Sequence, residues 1–188
     1  MEDAMIIFGK PTPEVLSGTS DTNAIYGSFG DDVIVGGDGN DSGLIPIDAT
    51  TIPEGSHPGL SMVLVGADWF AEAGLYGGQG DDVIVGGAGK DRLDGFTGED
   101  LLIGGRGKDV FAFNGGEDSQ DTIADFGRGD KIDISAFHVD FIKSKAFSGD
   151  AEARYSGDKL RIDYNGDKVA DVKIIVGVDA VHGSDLIL

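Results

Sequence analysis

A nine-residue repeat constrains this chain more than any other feature. The string GDDVIVGG occurs at residues 30–37 and again at residues 80–87. From Gly77 the chain advances in four consecutive steps of nine, each with Gly at its first and fourth place. The sixth places of these steps hold Asp82, Asp91, Asp100 and Asp109. The eighth places hold Ile84, Leu93, Leu102 and Phe111. A short fixed period of this kind predicts a solenoid of stacked turns.

The same register is present upstream with more substitutions. The sixth places of three earlier steps hold Asn23, Asp32 and Asp41. In the last of these steps Gly43 occupies the apolar eighth place, so we expect the first block to end near Leu44.

The spacing has a physical explanation in the needs of a hard cation. Gly at the first, second and fourth places permits a crowded backbone with inward carbonyls, and the last three residues form a short strand. Two steps make one coil, so turns that are two steps apart stack and offer a cation carbonyl and carboxylate oxygens from both. The chain has 27 Asp and 7 Glu. Short carboxylates in turns suit the all-oxygen ligand sets of calcium.

We therefore predict the metal ligands position by position. The expected side-chain ligands are Asn23, Asp32, Asp41, Asp82, Asp91, Asp100 and Asp109. The expected backbone ligands at second places are Ser28, Gly37, Gly78, Gly87 and Gly105. Those at fourth places are Gly30, Gly39, Gly80, Gly89, Gly98 and Gly107. About four to six calcium ions would cancel roughly half of the net charge of −20.

The GGxGxD motif followed by x-apolar-x resembles the nonapeptide of the RTX, or hemolysin-type, calcium-binding proteins. A single copy would also suit a glycine-rich linker or an anion-binding loop, whereas four in-phase copies favour the RTX interpretation. The resemblance implies an all-β fold, a right-handed parallel β-roll with calcium in its turns. We assign residues 1–112 to this roll, with an inserted loop at about 45–74.

Two segments of the roll depart from the repeat. Residues 1–17 are predicted to be a capping strand over the first coil, with a partner-binding peptide as the alternative. Acidic residues precede their apolar patch, which argues against a secretory signal. The insertion contains three prolines and the single Trp69. We expect an excursion packed on the roll through Trp69 and Phe70, with a ligand-binding loop as the alternative.

Residues 113–188 are predicted to form an antiparallel β cap. Residues 121–135 resemble the segment that follows the repeats in serralysin-type secreted proteases and, less closely, in the R-modules of alginate C5-epimerases. The resemblance implies that Asp121 and Asp125 help to close the last calcium turn. Period-two alternation predicts that Ile132 and Ile134 face inward and that Asp130 and Asp133 face outward.

The segment 163–167, DYNGD, superficially matches an EF-hand loop. That loop requires Gly at its sixth place and Glu at its twelfth, where this chain has Lys168 and Ile174. Asn165-Gly166 between two apolar runs instead predicts a β-hairpin.

Several classes of protein are disfavoured by composition. The acidic charge opposes nucleic-acid binding, and no apolar run approaches the ~20 residues of a membrane-spanning helix. Cys is absent, so thiolate metal sites are excluded. Neither H-E-x-x-H nor G-x-S-x-G occurs, and the three His residues are expected at the surface. We therefore expect a binding module and not an enzyme.

The last residues, 184–188, resemble the address that type I secretion machinery reads. We therefore expect a secreted, extracellular calcium-binding module that folds on binding calcium after export. Three alternatives stay open at this stage: a polysaccharide-binding module of the alginate type, the detached C-terminal domain of a secreted hydrolase or epimerase, and an adhesive or surface-layer protein.

Overall fold

The computed structural model describes residues 5–10, 12–13, 15–19, 23–29, 33–37, 41, 43–47, 62–65, 68–114, 120–143, 145–177 and 181–188. Three predicted ligands, Gly30, Asp32 and Gly39, lie outside this part of the chain.

The described residues form short strands and two 3-10 helices, Ser135–Phe137 and Gly183–Asp185. In the first half of the chain the strands are β1 (Met5–Phe8), β2 (Val15–Ser17), β3 (Asn23–Phe29), β4 (Val33–Gly37), β5 (Gly43–Ile47), β6 (Met62–Val65), β7 (Asp68–Gln79), β8 (Val83–Gly89) and β9 (Arg92–Thr97). In the second half they are β10 (Leu101–Gly107), β11 (Val110–Ala112), β12 (Gln120–Ile123), β13 (Lys131–Asp133), β14 (Asp140–Phe141), β15 (Glu152–Ser156), β16 (Lys159–Asp163), β17 (Val172–Ile175) and β18 (Leu186–Ile187).

Successive strands of the repeats alternate between two sheets. The first sheet has the order β1-β3-β7-β9-β11-β13-β18, and the second has the order β14-β15-β16-β17-β12-β10-β8-β4-β2. Within the second repeat block, paired strands are parallel and two steps apart, as in Leu75 opposite Leu93 and Val83 opposite Leu101. Each coil of two steps therefore adds one strand to each sheet, which confirms the predicted parallel β-roll.

The eighth-place side chains form the core between the two sheets. Ile25, Ile34, Ile84, Leu93, Leu102 and Phe111 are all fully buried in one cluster. Burying a side chain of this size contributes about 1.5–3 kcal/mol. The core therefore stabilises the two sheets, while the turns are held by other means.

The insertion does not disturb the register of the roll. Ile25 lies opposite Leu75 and Ile34 lies opposite Ile84, with the insertion between the partners of each pair. If segment 42–73 is left out of the numbering, both pairs have the spacing of a single coil. Coils on the two sides of the insertion are therefore direct neighbours.

The interrupted step is completed after the insertion. The step that begins at Gly36 reaches Asp41 and continues in Gly74, Leu75 and Tyr76, so fully buried Leu75 fills its eighth place. The step is interrupted at residue 43, as expected, and its apolar residue is supplied by Leu75 from beyond the insertion.

The described part of the insertion is antiparallel. β5 and β6 both pair with the first half of β7, with Gly43 opposite Ala73 and Met62 opposite Ala71. The side chains of Trp69 and Phe70 lie outside the described part, so their predicted packing on the roll stays a prediction.

The N-terminal segment forms more than the expected capping strand. β1 pairs in parallel with β3 in the first sheet, and β2 pairs in parallel with β4 in the second. Both pairs have the spacing of one coil, as in Met5 opposite Asn23 and Val15 opposite Val33. β1 and β2 therefore add one further strand to each sheet, as one coil does, although the sequence of residues 5–17 lacks the glycine pattern.

After the repeats, the same two sheets continue with longer connections. β12 and β13 pair in parallel with β10 and β11, as in Leu101 opposite Thr122 and Val110 opposite Lys131. Each connection is three residues longer than one coil of the repeat. Among the described strands after the repeats, antiparallel pairing is confined to β15, β16 and β17, so the predicted antiparallel cap is only partly antiparallel.

The predicted alternation near residue 132 holds for the apolar side chains only. Ile132 and Ile134 are fully buried, as predicted. The prediction that Asp130 faces outward is wrong, because Asp130 is only 8% exposed. Asp133 is partly buried and forms an ion pair with Arg92 at 3.0 Å.

The predicted hairpin is confirmed, with a longer connection than Asn165-Gly166 alone. β16 and β17 are joined by residues 164–171. Both oxygens of Asp163 accept backbone hydrogen bonds within this loop, from Gly166 at 2.7 Å and from Lys168 at 2.8 Å. The Asp163 carboxylate therefore fixes the loop through these two hydrogen bonds.

Within the described residues no helix has the length and apolarity to cross a membrane.

Candidate metal centre

The sixth-place residues line two opposite edges of the roll, because each coil makes two turns. We call the edge with Asn23, Asp41, Asp91, Asp109 and Asp130 the lysine edge, after Lys90 and Lys108 in its turns. We call the edge with Asp82, Asp100 and Asp121 the acidic edge, after Asp81 and Glu99.

A ladder of hydrogen bonds runs along each edge. On the lysine edge, Oδ1 of Asp41, Asp91, Asp109 and Asp130 accepts the backbone N–H of the sixth-place residue one coil earlier, at 2.7, 3.0, 3.1 and 3.1 Å. On the acidic edge, Oδ1 of Asp100 and Asp121 accepts the N–H of Asp82 and Asp100, at 2.9 and 3.0 Å. One oxygen of each carboxylate is therefore fixed by the neighbouring coil.

In four of these carboxylates the second oxygen has no hydrogen-bond partner among the described residues. Oδ2 of Asp41, Asp91, Asp100 and Asp109 is buried and accepts no hydrogen bond from the described residues. A buried polar atom without a partner costs about 1–3 kcal/mol, and more when it carries charge. Four orphaned oxygens at equivalent positions therefore mark places where a cation would satisfy the structure.

The first-place glycines shape the space around these oxygens. A Cβ at Gly86 would lie 2.6 Å from Oδ2 of Asp91 and 2.6 Å from the carbonyl oxygen of Gly104, one coil further on. A Cβ at Gly95 would lie 1.9 Å from Oδ2 of Asp100. Carboxylate and carbonyl oxygens from two coils therefore share a space that only glycine leaves open.

These first-place carbonyls are absent from the ligand set predicted from the sequence. The prediction used the second and fourth places, whose glycines mostly have positive φ values, as at Gly87 (116°) and Gly89 (151°). Gly87 is needed there because a Cβ would lie 1.8 Å from the carbonyl oxygen of Gly37 in the adjacent coil. The signal for the first place was available in the sequence, since Gly occupies it in all four steps from Gly77 onward.

Burial and mutual repulsion disfavour the charged form of these carboxyls. Burial, together with the charges of Asp41 and Asp109, raises the pKa of Asp91 to about 7, against the lowering effect of the hydrogen bond from Asp41 N–H. Burial likewise raises the pKa of Asp121 to about 7 and that of Asp100 to about 6. The metal-free ladder is therefore electrostatically unfavourable at neutral pH.

Asn23 places an amide where the later coils have a carboxylate. Its Nδ2 donates to Oδ1 of Asp41 at 3.0 Å and to the carbonyl oxygen of Gly36 at 3.4 Å. The amide of Asn23 thus donates to a first-place carbonyl of the next coil. In a later coil the equivalent carbonyl, that of Gly104, borders the same space as Oδ2 of Asp91. The role of Asn23 as a calcium ligand stays a prediction.

The two acids predicted to close the last turn act differently. Asp121 extends the acidic-edge ladder by one place. Asp125 accepts the N–H groups of Gly104 and Gly105, at 2.9 and 2.8 Å, so both of its oxygens cap the backbone. Asp130 extends the lysine-edge ladder, and its Oδ2 accepts the N–H of Gly127 at 2.7 Å.

The donor set fits calcium. Among the described residues no three His, Cys, Asp or Glu side chains converge on one point. Each turn instead offers one carboxylate oxygen together with a first-place backbone carbonyl of the next coil, as at Asp91 and Gly104. All-oxygen sets with many carbonyls suit calcium, whereas zinc prefers nitrogen and sulfur ligands.

Comparison with known proteins agrees with this chemistry. Residues 8–42 and 76–111 match the family described as RTX calcium-binding nonapeptide repeat (4 copies). No curated protein sequence matches the chain significantly.

Two solved structures are similar to this chain at low identity. One is a subunit of the mannuronan C5-epimerase of Azotobacter vinelandii, with 21% identity, a TM-score of 0.44, and coverage of 95% of this chain and 80% of that chain. The other is the extracellular lipase of Serratia marcescens, with 18% identity, a TM-score of 0.30, and coverage of 100% of this chain and 40% of that chain. The two blocks on either side of the insertion therefore carry the RTX calcium-binding nonapeptide repeat.

Proposed function

We propose that this chain is a calcium-binding RTX module, without catalysis of its own, that folds on binding calcium after type I secretion. The observation that carries the proposal is the set of orphaned Oδ2 atoms of Asp41, Asp91, Asp100 and Asp109. Each is held in place through its Oδ1 and faces a space bordered by a first-place glycine.

Calcium supplies the positive charge that makes this arrangement favourable. Without it, folding buries carboxylates against one another and orders 32 flexible Gly residues. A cation that binds only the folded chain stabilises it in proportion to the logarithm of its concentration. Extracellular calcium modules have Kd values of about 10⁻⁴ to 10⁻³ M, so the chain would be unfolded in the cytosol and folded outside the cell.

Circular dichroism and analytical ultracentrifugation with and without calcium test the folding step. In chelator we expect an expanded chain with little β-structure, and in millimolar calcium a compact β-rich one. Magnesium at the same concentration serves as the ionic-strength control and should not produce the transition. A compact β-rich chain in chelator that takes up no calcium would overturn the proposal.

The export step concerns segment 184–188. In the folded chain Leu186–Ile187 forms strand β18 against β13, and Leu186 is only 8% exposed. Secretion machinery would therefore have to bind this segment before the roll forms. Transport of the chain by a reconstituted type I exporter, and its loss when 184–188 is replaced by a Gly/Ser sequence, tests this step. Equal export of both chains argues against it.

A second candidate function is binding of an anionic polysaccharide, favoured by one observation. Arg154, Arg161 and Lys173 lie directly opposite one another on β15, β16 and β17. Their buried chain neighbours face the core, so the three cations share the outer face. Like charges directly opposite are destabilising, and an anionic polymer would relieve this cost.

Retention on an immobilised polyuronate gel in calcium tests this second function. We expect wild type to be retained and a triple variant, Arg154→Gln, Arg161→Gln and Lys173→Gln, to elute early. Unchanged retention of the variant, or no retention of wild type, would reject it. Neither result bears on calcium binding itself.

A further inference from the structure

The two edges of the roll present the same ligands in different electrostatic surroundings. Within the four steps from Gly77 onward, the residue before the ladder carboxylate is acidic on one edge, where Asp81 precedes Asp82 and Glu99 precedes Asp100. On the other edge it is basic, where Lys90 precedes Asp91 and Lys108 precedes Asp109. All four of these preceding side chains are exposed. The sequence alternation DD, KD, ED, KD is thus converted by the coil geometry into two rows of opposite character.

Further contacts extend this difference along each edge. On the acidic edge Oδ1 of Asp81 accepts the N–H of Glu99 at 2.8 Å, which fixes its carboxylate against the next coil. On the lysine edge the aliphatic stem of Lys108 lies over Gly129, where a Cβ would be 3.1 Å from its Cγ. Lys108 therefore extends along the edge toward the next ladder position, Asp130.

The charges of the described turn residues can be counted for each edge. The lysine edge combines the cations Lys90, Arg106, Lys108 and Arg128 with the anions Asp41, Asp91, Asp109, Asp125 and Asp130. Four cations against five anions leave −1. The acidic edge combines the anions Asp81, Asp82, Glu99, Asp100 and Asp121 with one cation, Lys159, which donates to Gln120 at 2.8 Å. One cation against five anions leaves −4.

The ligand geometry itself does not differ between the edges. Asp100 on the acidic edge and Asp91 and Asp109 on the lysine edge all have Oδ1 bonded across the ladder and a buried Oδ2 that no described residue contacts by a hydrogen bond. The surrounding charge is therefore the variable that distinguishes the two rows of sites.

We propose that the roll contains two classes of calcium site, a tight row on the acidic edge and a weaker row on the lysine edge, set by the charges of Asp81, Glu99, Lys90 and Lys108. This inference rests on the proposed calcium-binding function and adds an order of occupancy to it. The affinity of all-oxygen calcium sites is tuned by their negative charge, and a divalent ion interacts twice as strongly with each neighbouring charge as a proton does. Exposed neighbours are partly screened by salt, so one charge changes affinity by about threefold to tenfold.

Calcium release from the calcium-loaded chain of 188 residues tests the order directly. The protein is mixed rapidly with an excess of a fluorescent calcium chelator in about 0.1 M KCl. We expect two phases, a fast phase from the lysine edge and a slow phase from the acidic edge. The double variant Asp81→Asn plus Glu99→Gln should accelerate the slow phase about tenfold, and Lys90→Gln plus Lys108→Gln should slow the fast phase by a similar factor.

A third double variant controls for net charge. Asp140→Asn plus Asp150→Asn makes the same charge change as the acidic-edge variant, at exposed positions after the repeats, and should alter neither phase. A single release phase in wild type, or equal shifts in all three variants, overturns the two-class proposal while calcium binding stands. A protein that releases no calcium at all instead overturns the proposed function beneath it.

Discussion

The backbone N–H of Asp41 donates a 3.0 Å hydrogen bond to Oδ1 of Asp91, on the far side of the insertion. The bond has the same form as those joining sixth-place residues of successive coils within one block, such as Asp91 to Asp109 at 3.1 Å. The ladder on the lysine edge therefore crosses the insertion without a break. The turns at Asp41 and Asp91, which the insertion separates in sequence, are adjacent steps of one stack.

Removing the insertion should leave an intact roll. Deletion of residues 42–73 joins Asp41 to Gly74 and restores an uninterrupted nonapeptide with Leu75 at its eighth place. We expect the shortened chain to keep the calcium-induced circular dichroism spectrum and the calcium stoichiometry of wild type. A longer deletion, of 42–75, is the control and should fold poorly because it also removes buried Leu75 from the eighth place of the step. Loss of the spectrum in both deletions would contradict direct stacking across the insertion.

Replacing one ladder carboxylate by its amide should separate stability from calcium binding. In Asp91→Asn, Oδ1 still accepts the Asp41 N–H, and the amide can donate to the Gly104 carbonyl as Asn23 donates to Gly36. Loss of the buried charge should stabilise the chelated form by roughly 1–3 kcal/mol. The calcium concentration at which half of the chain is folded should rise about tenfold, because the site loses a charged ligand. Thermal melts in chelator and in calcium measure both effects, with exposed Asp158→Asn as the unaffected control.

Acid should stabilise the metal-free roll and weaken calcium binding. Burial raises the pKa of Asp91 and Asp121 to about 7 in the folded chain, against about 3.9 when unfolded. A raised folded pKa gives stability that is fully present below the unfolded value and lost as pH rises through the folded value. In chelator the β-content should therefore increase from pH 8 to pH 5. The calcium concentration at the folding midpoint should rise over the same range, because protons compete with calcium for the carboxylates. The same trend with and without calcium would rule out this linkage.

A methyl group at a stacked glycine should prevent the coils from packing. At Gly87, with φ of 116°, a Cβ would lie 1.8 Å from the Gly37 carbonyl oxygen, so Gly87→Ala must push two coils apart. We expect the free energy of unfolding to fall by more than about 3 kcal/mol, so that the variant does not fold at millimolar calcium. Gly157→Ala is the matched control, since Gly157 also has positive φ (73°) but nothing within 4 Å of a Cβ. It should cost only about 1–2 kcal/mol. Similar denaturation midpoints for the two variants would show that close approach is not what requires Gly87.

Much of the fold was accessible from the sequence because the repeat is local. Within one nonapeptide, the glycines, the carboxylate and the apolar eighth residue specify a turn and a strand without reference to distant residues. Buried Ile84, Leu93 and Leu102 confirm that part of the prediction. Asp130 was missed because its ladder place follows a connection longer than the repeat. Because Asp130 alternates with apolar Ile132, the sequence pattern predicts that its side chain faces solvent.

The sequence by itself determined the period, the two-sheet roll and the chemical type of the ligands, since each depends on residues that lie within one step of the repeat. Only the tertiary structure decided which turns are neighbours. Stacking brings Asp41 to Asp91 across the insertion, adds Asp121 and Asp130 to the ladders, and sorts Lys90 and Glu99 onto opposite edges. Those relationships arise from long-range packing of whole coils, which no local pattern encodes.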